Sequence, residues 1–291
     1  MLQQTINGLA LGATYALLGL GVTMIWGVLR LLNFAYGQFI VWGAFATLVC
    51  IEWGLPTWLA VVLGMLVGGT VAVIVDVSVL RYMRSRNSSE FAMVVATIGV
   101  SYILSTIVQA RTSSQIRAFP IQRFPSGQIH LGSVDIPSLQ LTTFSISIFV
   151  MVVLGLWLGR TRMGRATRTV AYSATTAELL GVRSQAIFAL AVFLSGALAA
   201  VAGVAIAAIT STLSYSTGDQ LLVIAFSVIV LGGIGSVKGA VVGGIVLGLV
   251  QTWASAYISN SFSQTVAYLV ILLILVARPS GLFGVAEENR V

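Results

Sequence analysis

Apolar runs of roughly 20 residues, separated by short polar or basic intervals, recur along the whole chain. Coiled as a helix, a run of that length matches the hydrocarbon thickness of a bilayer. The runs fall at about residues 6–29, 39–50, 58–80, 91–109, 142–158, 186–209, 221–231 and 265–277, with a glycine-rich stretch after residue 232. This pattern predicts an all-α, polytopic integral membrane bundle of about eight or nine transmembrane segments, forming one domain over residues 1–291. The first run has no basic segment before it and is too long for the apolar core of a signal peptide, so it reads as a retained span.

The intervals carry the finer signals. Residues 159–182 are polar and basic; with Arg183 just beyond, the interval holds five of the fifteen basic residues, Arg160, Arg162, Arg165, Arg168 and Arg183. Within it Thr175 and Glu178 have the spacing of a capping box, Leu179 and Leu180 follow, and Gly181 is suited to close a helix. A short amphipathic helix there would have two leucines for a partner to cover, whereas a solvated loop would only set topology; spacing alone leaves both open. Arg81, Arg84 and Arg86 follow the third run, so by the positive-inside rule that loop and the loop at about 159–184 lie in the cytoplasm. The interval at about 111–140 then lies outside, with residues 129–131 and 134–136 flanking Gly132 and Ser133 as a small hairpin. Asp76, about one turn from the arginines, reads as a paired, snorkelling carboxylate rather than a proton carrier.

Two polar interruptions resemble one another. Residues 32–38 include Asn33, Phe34, Tyr36, Gly37 and Gln38; residues 213–220 include Ser214, Tyr215, Ser216, Thr217, Gly218, Asp219 and Gln220. Each is either an ordinary turn or the break of a discontinuous helix whose freed backbone lines a pathway. The topology above puts the first break inside and the second outside, as an inverted-topology repeat requires. Glycines four apart, Gly8 with Gly12 and the series Gly235, Gly239 and Gly243, mark close helix packing.

Composition narrows the function. Charged residues are only 8% of the chain and hydrophobic residues 58%, and the net charge of +7 gathers where chain leaves membrane, which is not a nucleic-acid surface. One cysteine, Cys50, and one histidine, His130, provide no metal set, and no catalytic constellation is visible. Lys238 lies beside a glycine run, but Val237 and Gly239 flank it where a phosphate loop needs glycine before and Ser or Thr after. Transport or assembly must therefore explain the chain. A permease driven by a separate motor suits the basic loop; a self-contained facilitator or ion-coupled transporter for a small polar solute such as urea or an amide is the alternative, and a structural subunit of a membrane enzyme a third.

Several segments carry a family likeness: residues 8–17 (GLALGATYAL), 27–35 (GVLRLLNFA), 178–182 (ELLGV), 230–236 (VLGGIGS) and 278–284 (RPSGLFG). In these the chain resembles the permeases of branched-chain amino acid ABC importers, LivH type. The resemblance implies a bacterial inner-membrane subunit paired with a second homologous permease, two cytoplasmic ATPases that bind ATP and Mg, and a periplasmic substrate-binding protein, with no cofactor on this chain. It places Ala177 and Gly181 at the family's coupling positions, beside Glu178 and Leu180 and downstream of Arg165 and Arg168. The translocation pathway would run along Asn33, Phe34, Tyr36, Gln38 and Tyr215. The family usually carries His and Glu on either side of the glycine where Tyr36 and Gln38 stand, and Glu where Thr175 stands. Asn33, Tyr36 and Gln38 would offer neutral hydrogen-bonding groups, suited to a small polar solute or a zwitterion.

Overall fold

The structure, a computed structural model, describes residues 1–124, 127–131 and 134–284. Among these are eleven helices: α1 (Leu2–Leu29), α2 (Tyr36–Glu52), α3 (Thr57–Ser85), α4 (Glu90–Thr112), α5 (Ser138–Arg160), α6 (Arg162–Tyr172), α7 (Ala174–Leu179), α8 (Ser184–Thr210), α9 (Thr217–Gly232), α10 (Val237–Tyr257) and α11 (Ser263–Ala277). Six of them, α1, α3, α4, α5, α8 and α10, are long and apolar enough to cross a membrane, and α2, α9 and α11 are shorter apolar helices. The chain is a multi-pass helical membrane protein. Two strand pairs complete the described chain, β1 (Arg117–Ala118) with β4 (Thr212–Leu213) and β2 (Gln128–Leu131) with β3 (Val134–Pro137), both antiparallel. The second pair is the expected hairpin; Gly132 and Ser133 at its turn lie outside the described residues.

Helices α1 and α8 are buried along most of their length and pack on each other. Glycine and alanine allow this, because helices in lipid gain from close backbone approach rather than from hydrophobicity. A Cβ at Gly12 would stand 2.7 Å from the Ile245 Cα on α10, and one at Gly68 of α3 would stand 2.7 Å from the Gly196 carbonyl of α8. Gly243 meets the Val228 carbonyl of α9, and Gly239 meets Gly232 across the bend into α10. Gly235 departs from its expected place on a packing face. It lies in that bend with φ 82°, a conformation glycine adopts without strain, and so it turns the chain instead of packing a helix.

The packing is two-fold in pattern. Helix α1 lies against α10 as α8 lies against α3, and α1 contacts α9 as α8 contacts α2. Pairs of residues 181 apart share unusual backbone geometry: Arg30 (φ 53°) with Ser211 (φ 58°), and Gly54 (φ 83°) with Gly235 (φ 82°). Since α1 runs toward the arginine-rich end and α8 runs away from it, the two halves have opposite direction, as an inverted repeat requires.

The buried charge is paired. Asp76, 2% exposed, accepts from Arg84 Nη1 at 2.8 Å and Nη2 at 3.3 Å, and the guanidinium stands over the Phe188 ring. Eight residues in a regular helix would leave the two side chains off one face. The π turn over Asp76–Leu80 takes in an extra residue and aligns them.

Two outcomes test this packing. Gly12→Val should lower the melting temperature in detergent, overpacking costing about 1–3 kcal/mol, while Gly27→Ala, with open space beside it, should not. Arg84→Met should destabilise by roughly 3–5 kcal/mol by stranding the Asp76 carboxylate, and adding Asp76→Leu should recover most of that loss.

Candidate functional site

The two polar breaks meet. After α1, residues 30–35 turn back into the bundle, and α2 starts at Tyr36, whose side chain is fully buried and whose hydroxyl donates to the Leu18 carbonyl at 2.9 Å. Leu18 lies twelve residues, about 18 Å of helix, before Arg30, so α2 begins deep in the bundle. After α8, residues 211–216 fold in from the opposite end, and α9 starts at Thr217. Cβ atoms at Gly37 and Gly218 would each collide with the other residue's carbonyl. The breaks therefore share one interior level. The two breaks enter from opposite ends of the bundle and meet inside it, where backbone amides of each find partners within the protein.

Those partners repeat across the two breaks. Tyr36 N–H donates to the Asn33 carbonyl and Gln38 N–H to Ala35; Thr217 N–H donates to Ser214 and Asp219 N–H to Ser216. Side chains cap what remains near them: Asn33 Oδ1 accepts from Ala35 N–H at 2.9 Å, Thr97 Oγ1 on α4 accepts from Phe34 N–H at 3.1 Å, and Thr217 Oγ1 accepts from Ser214 N–H at 3.1 Å. Interrupted helices survive at membrane depth only where the protein supplies such partners.

Beside the meeting point lies a cavity of about 310 Å³, half open, between α4 and the two breaks. Phe34, Tyr215, Asp219 and Leu222 line one wall, and Ser101, Tyr102, Ser105, Thr106 and Gln109 the other. Of the residues expected along a pathway, Phe34 and Tyr215 face this cavity, Phe34 with its ring edge-on to Phe226 at 5.3 Å. Asn33, Tyr36 and Gln38 stand behind the wall, buried, with Gln38 reaching forward so that its Nε2 donates to Asp219 Oδ1 at 3.3 Å. Asp219, part of the second break in the sequence, is not among the residues expected along the pathway. Its carboxylate is exposed on the cavity side, in the first turn of α9, and among the described residues the one ion pair is Asp76–Arg84. A carboxylate turned to lipid at this depth would cost about 2.5–3.5 kcal/mol on insertion scales, so this face must look onto water, a solute or another subunit.

A second site lies at the arginine-rich end. Helix α6 buries Gly164, Thr167 and Val170 and leaves Arg162, Arg165 and Arg168 exposed. The short α7 is capped by Ser173, whose Oγ accepts from Thr176 N–H at 3.2 Å. The expected capping box of Thr175 and Glu178 is therefore displaced by two residues, because the break between α6 and α7 falls at Ser173. Ala177 is fully buried, whereas Glu178, Leu179 and Leu180 are exposed, the leucines at 84% and 71%. Gly181 ends the segment at φ 81° with open space beside it.

The sequence profile of the family described as branched-chain amino acid transport system, permease component, matches residues 4–277. The chain belongs to this family. The high-affinity branched-chain amino acid transport system permease protein LivH of Salmonella typhimurium is 33% identical over 302 residues, covering all of this permease and 97% of its relative. BraD of Pseudomonas aeruginosa, a permease protein of a system of the same name, is 32% identical over 303 residues, covering 100% and 98%. A probable branched-chain amino acid transport permease protein LivH of Methanocaldococcus jannaschii is 24% identical over 279 residues, covering 92% and 88%. The fold is thus that of an ABC transporter permease.

If the cavity of this permease is wet, Ser105→Cys in a Cys50→Ala background should react with a membrane-impermeant maleimide. Thr23→Cys, 3% exposed inside α1, should not.

Proposed function

We propose that this chain is the membrane-spanning subunit of an ABC importer for branched-chain or other hydrophobic amino acids in a bacterial inner membrane. A second homologous permease would stand beside it, two cytoplasmic ATPases would bind ATP with Mg and supply the drive, and a periplasmic binding protein would deliver the solute. The observation that carries the reading is the docking edge formed by Glu178, Leu179, Leu180 and Gly181 below the exposed Arg165 and Arg168. Two leucines at the close of a short capped helix at the arginine-rich end have no apolar cover among the described residues, and an ATPase groove would supply it. By the positive-inside rule this end is cytoplasmic.

The same loop is tied to the breaks. Helix α6 packs on α1 and α8, Ser184 at the start of α8 donates to the Ala174 carbonyl at 3.2 Å, and Arg30 Nη2 reaches the Ala171 carbonyl at 3.5 Å. A push on α7 is transmitted to the end of α1, where the first break begins, and to the start of α8, which leads to the second. Closure of the ATPases would in this way move both breaks together and open the cavity to one side of the membrane at a time.

A mild-detergent pull-down of tagged permease from its native membrane should bring ATPase subunits with it and show ATP hydrolysis in the eluate. A clean chain that transports alone in liposomes would overturn the reading in favour of a facilitator. Leu179→Asp with Leu180→Asp should remove the ATPases at least tenfold, since each buried leucine is worth about 1.5–3 kcal/mol, and leave the permease folded because neither leucine is packed within it.

A further inference from the structure

We infer that Asp219, assisted by Gln38, receives the ammonium group of the transported solute where the two breaks meet. The inference rests on the amino-acid importer reading and adds to it the atoms that hold the substrate. Asp219 opens onto the cavity, carries the charge at that level of the bundle and has no cationic partner among the described residues. Gln38 is fully buried; its Nε2 holds Asp219 Oδ1, and its Oε1 has no hydrogen-bond partner. Gln38 thus stands behind the cavity wall and positions the carboxylate, which accepts one amide N–H and keeps lone pairs to offer to the cavity. An ammonium group, with three donors and a positive charge, satisfies the carboxylate that Gln38 holds in place. A hard metal ion fits poorly, since it needs six or more oxygen ligands, or several ordered waters, and no cluster of three acidic, histidine or cysteine ligands exists among the described residues. Phe34, Ile98, Tyr102 and Leu222 offer apolar surface beside the carboxylate for a hydrophobic side chain. At about 310 Å³ the cavity is at the small end of ligand sites, roughly 300–1,000 Å³.

A different role for Asp219 is to stabilise the first turn of α9, where a negative charge is favourable. Moving the charge separates the two roles. In cells lacking other leucine importers and expressing the complete transporter, Asp219→Asn should reduce uptake of labelled L-leucine at least tenfold with the assembled complex unchanged in amount. Adding Gln38→Glu, which returns a carboxylate to the other side of the 3.3 Å contact, should recover at least a third of the rate. Unchanged uptake by Asp219→Asn overturns the inference and leaves the importer standing; a double variant as inactive as the single one also overturns it, in favour of the helix-terminal role. A parent transporter that takes up no amino acid brings down the importer reading and the inference with it. A second measurement isolates the amine. With Ser105→Cys and Cys50→Ala, L-leucine should slow maleimide labelling and 2-hydroxy-4-methylpentanoate, which lacks the ammonium, should not; equal protection by both overturns the assignment.

Discussion

Backbone amides and carbonyls inside a bilayer must find partners within the protein, and two helices of this chain begin inside it. Helices α2 and α9 start at one interior level, with Gly37 and Gly218 in backbone contact. Glycine is required on both sides because any Cβ there would strike the opposing carbonyl. Much of the surrounding structure serves that junction. Helix α1 holds the Tyr36 hydroxyl on its Leu18 carbonyl, Ser195 of α8 donates to the Gly21 carbonyl, and Thr97 of α4 closes the Phe34 amide. Helices α1 and α8, long and largely buried, form the interior against which both inbound segments pack.

The spans were legible because the bilayer enforces a length that composition displays directly. The breaks were legible as a type, an aromatic followed by a small residue and glycine, but not as a place. Nothing local in residues 32–38 or 213–220 says that the two meet; that follows from the two-fold relation of the halves. The spacing of 181 between Gly37 and Gly218 sets Gln38 opposite Asp219, so aligning the two breaks residue by residue was the signal that would have found the missed acid. At the arginine-rich end the error was one of competing caps. Thr175 with Glu178 has the better motif, yet Ser173 caps, because α6 buries Gly164, Thr167 and Val170 and carries the helix to Tyr172 before the chain can restart. Glycine spacing likewise could not distinguish Gly239 and Gly243, which face α9, from Gly235, which lies one turn too early and bends the chain.

The loop and the junction are parts of one mechanical arrangement rather than two sites. Residues 30–35 begin next to Ala171 at the end of α6, and α8 begins next to Ala174 at the start of α7. Both inbound segments are therefore continuations of helices that the α6–α7 loop touches, and under the importer reading the loop would set their position. A bundle packed through glycine contacts has little room to deform continuously, so displacement at the loop is relieved by shifting whole helices. That is the behaviour alternating access needs, and it does not depend on which solute is carried.

The two intramembrane carboxylates show how position decides what a charge does. Asp76 has its counter-ion eight residues along the same helix, drawn onto its face by a π turn, and both oxygens are bound. Such a pair is complete within the chain, and its removal concerns stability. Asp219 is held only by a neutral amide from the opposite half of the repeat, and it faces open volume instead of a guanidinium. Among the described residues no cation compensates its charge, and on the inference above that charge is met by the solute that enters the cavity. The asymmetry between Gln38 and Asp219, at matching positions of two otherwise matching breaks, puts that charge on one side of the junction. Under the importer reading, the solute's ammonium is then held from the α9 side while α2 contributes the neutral amide.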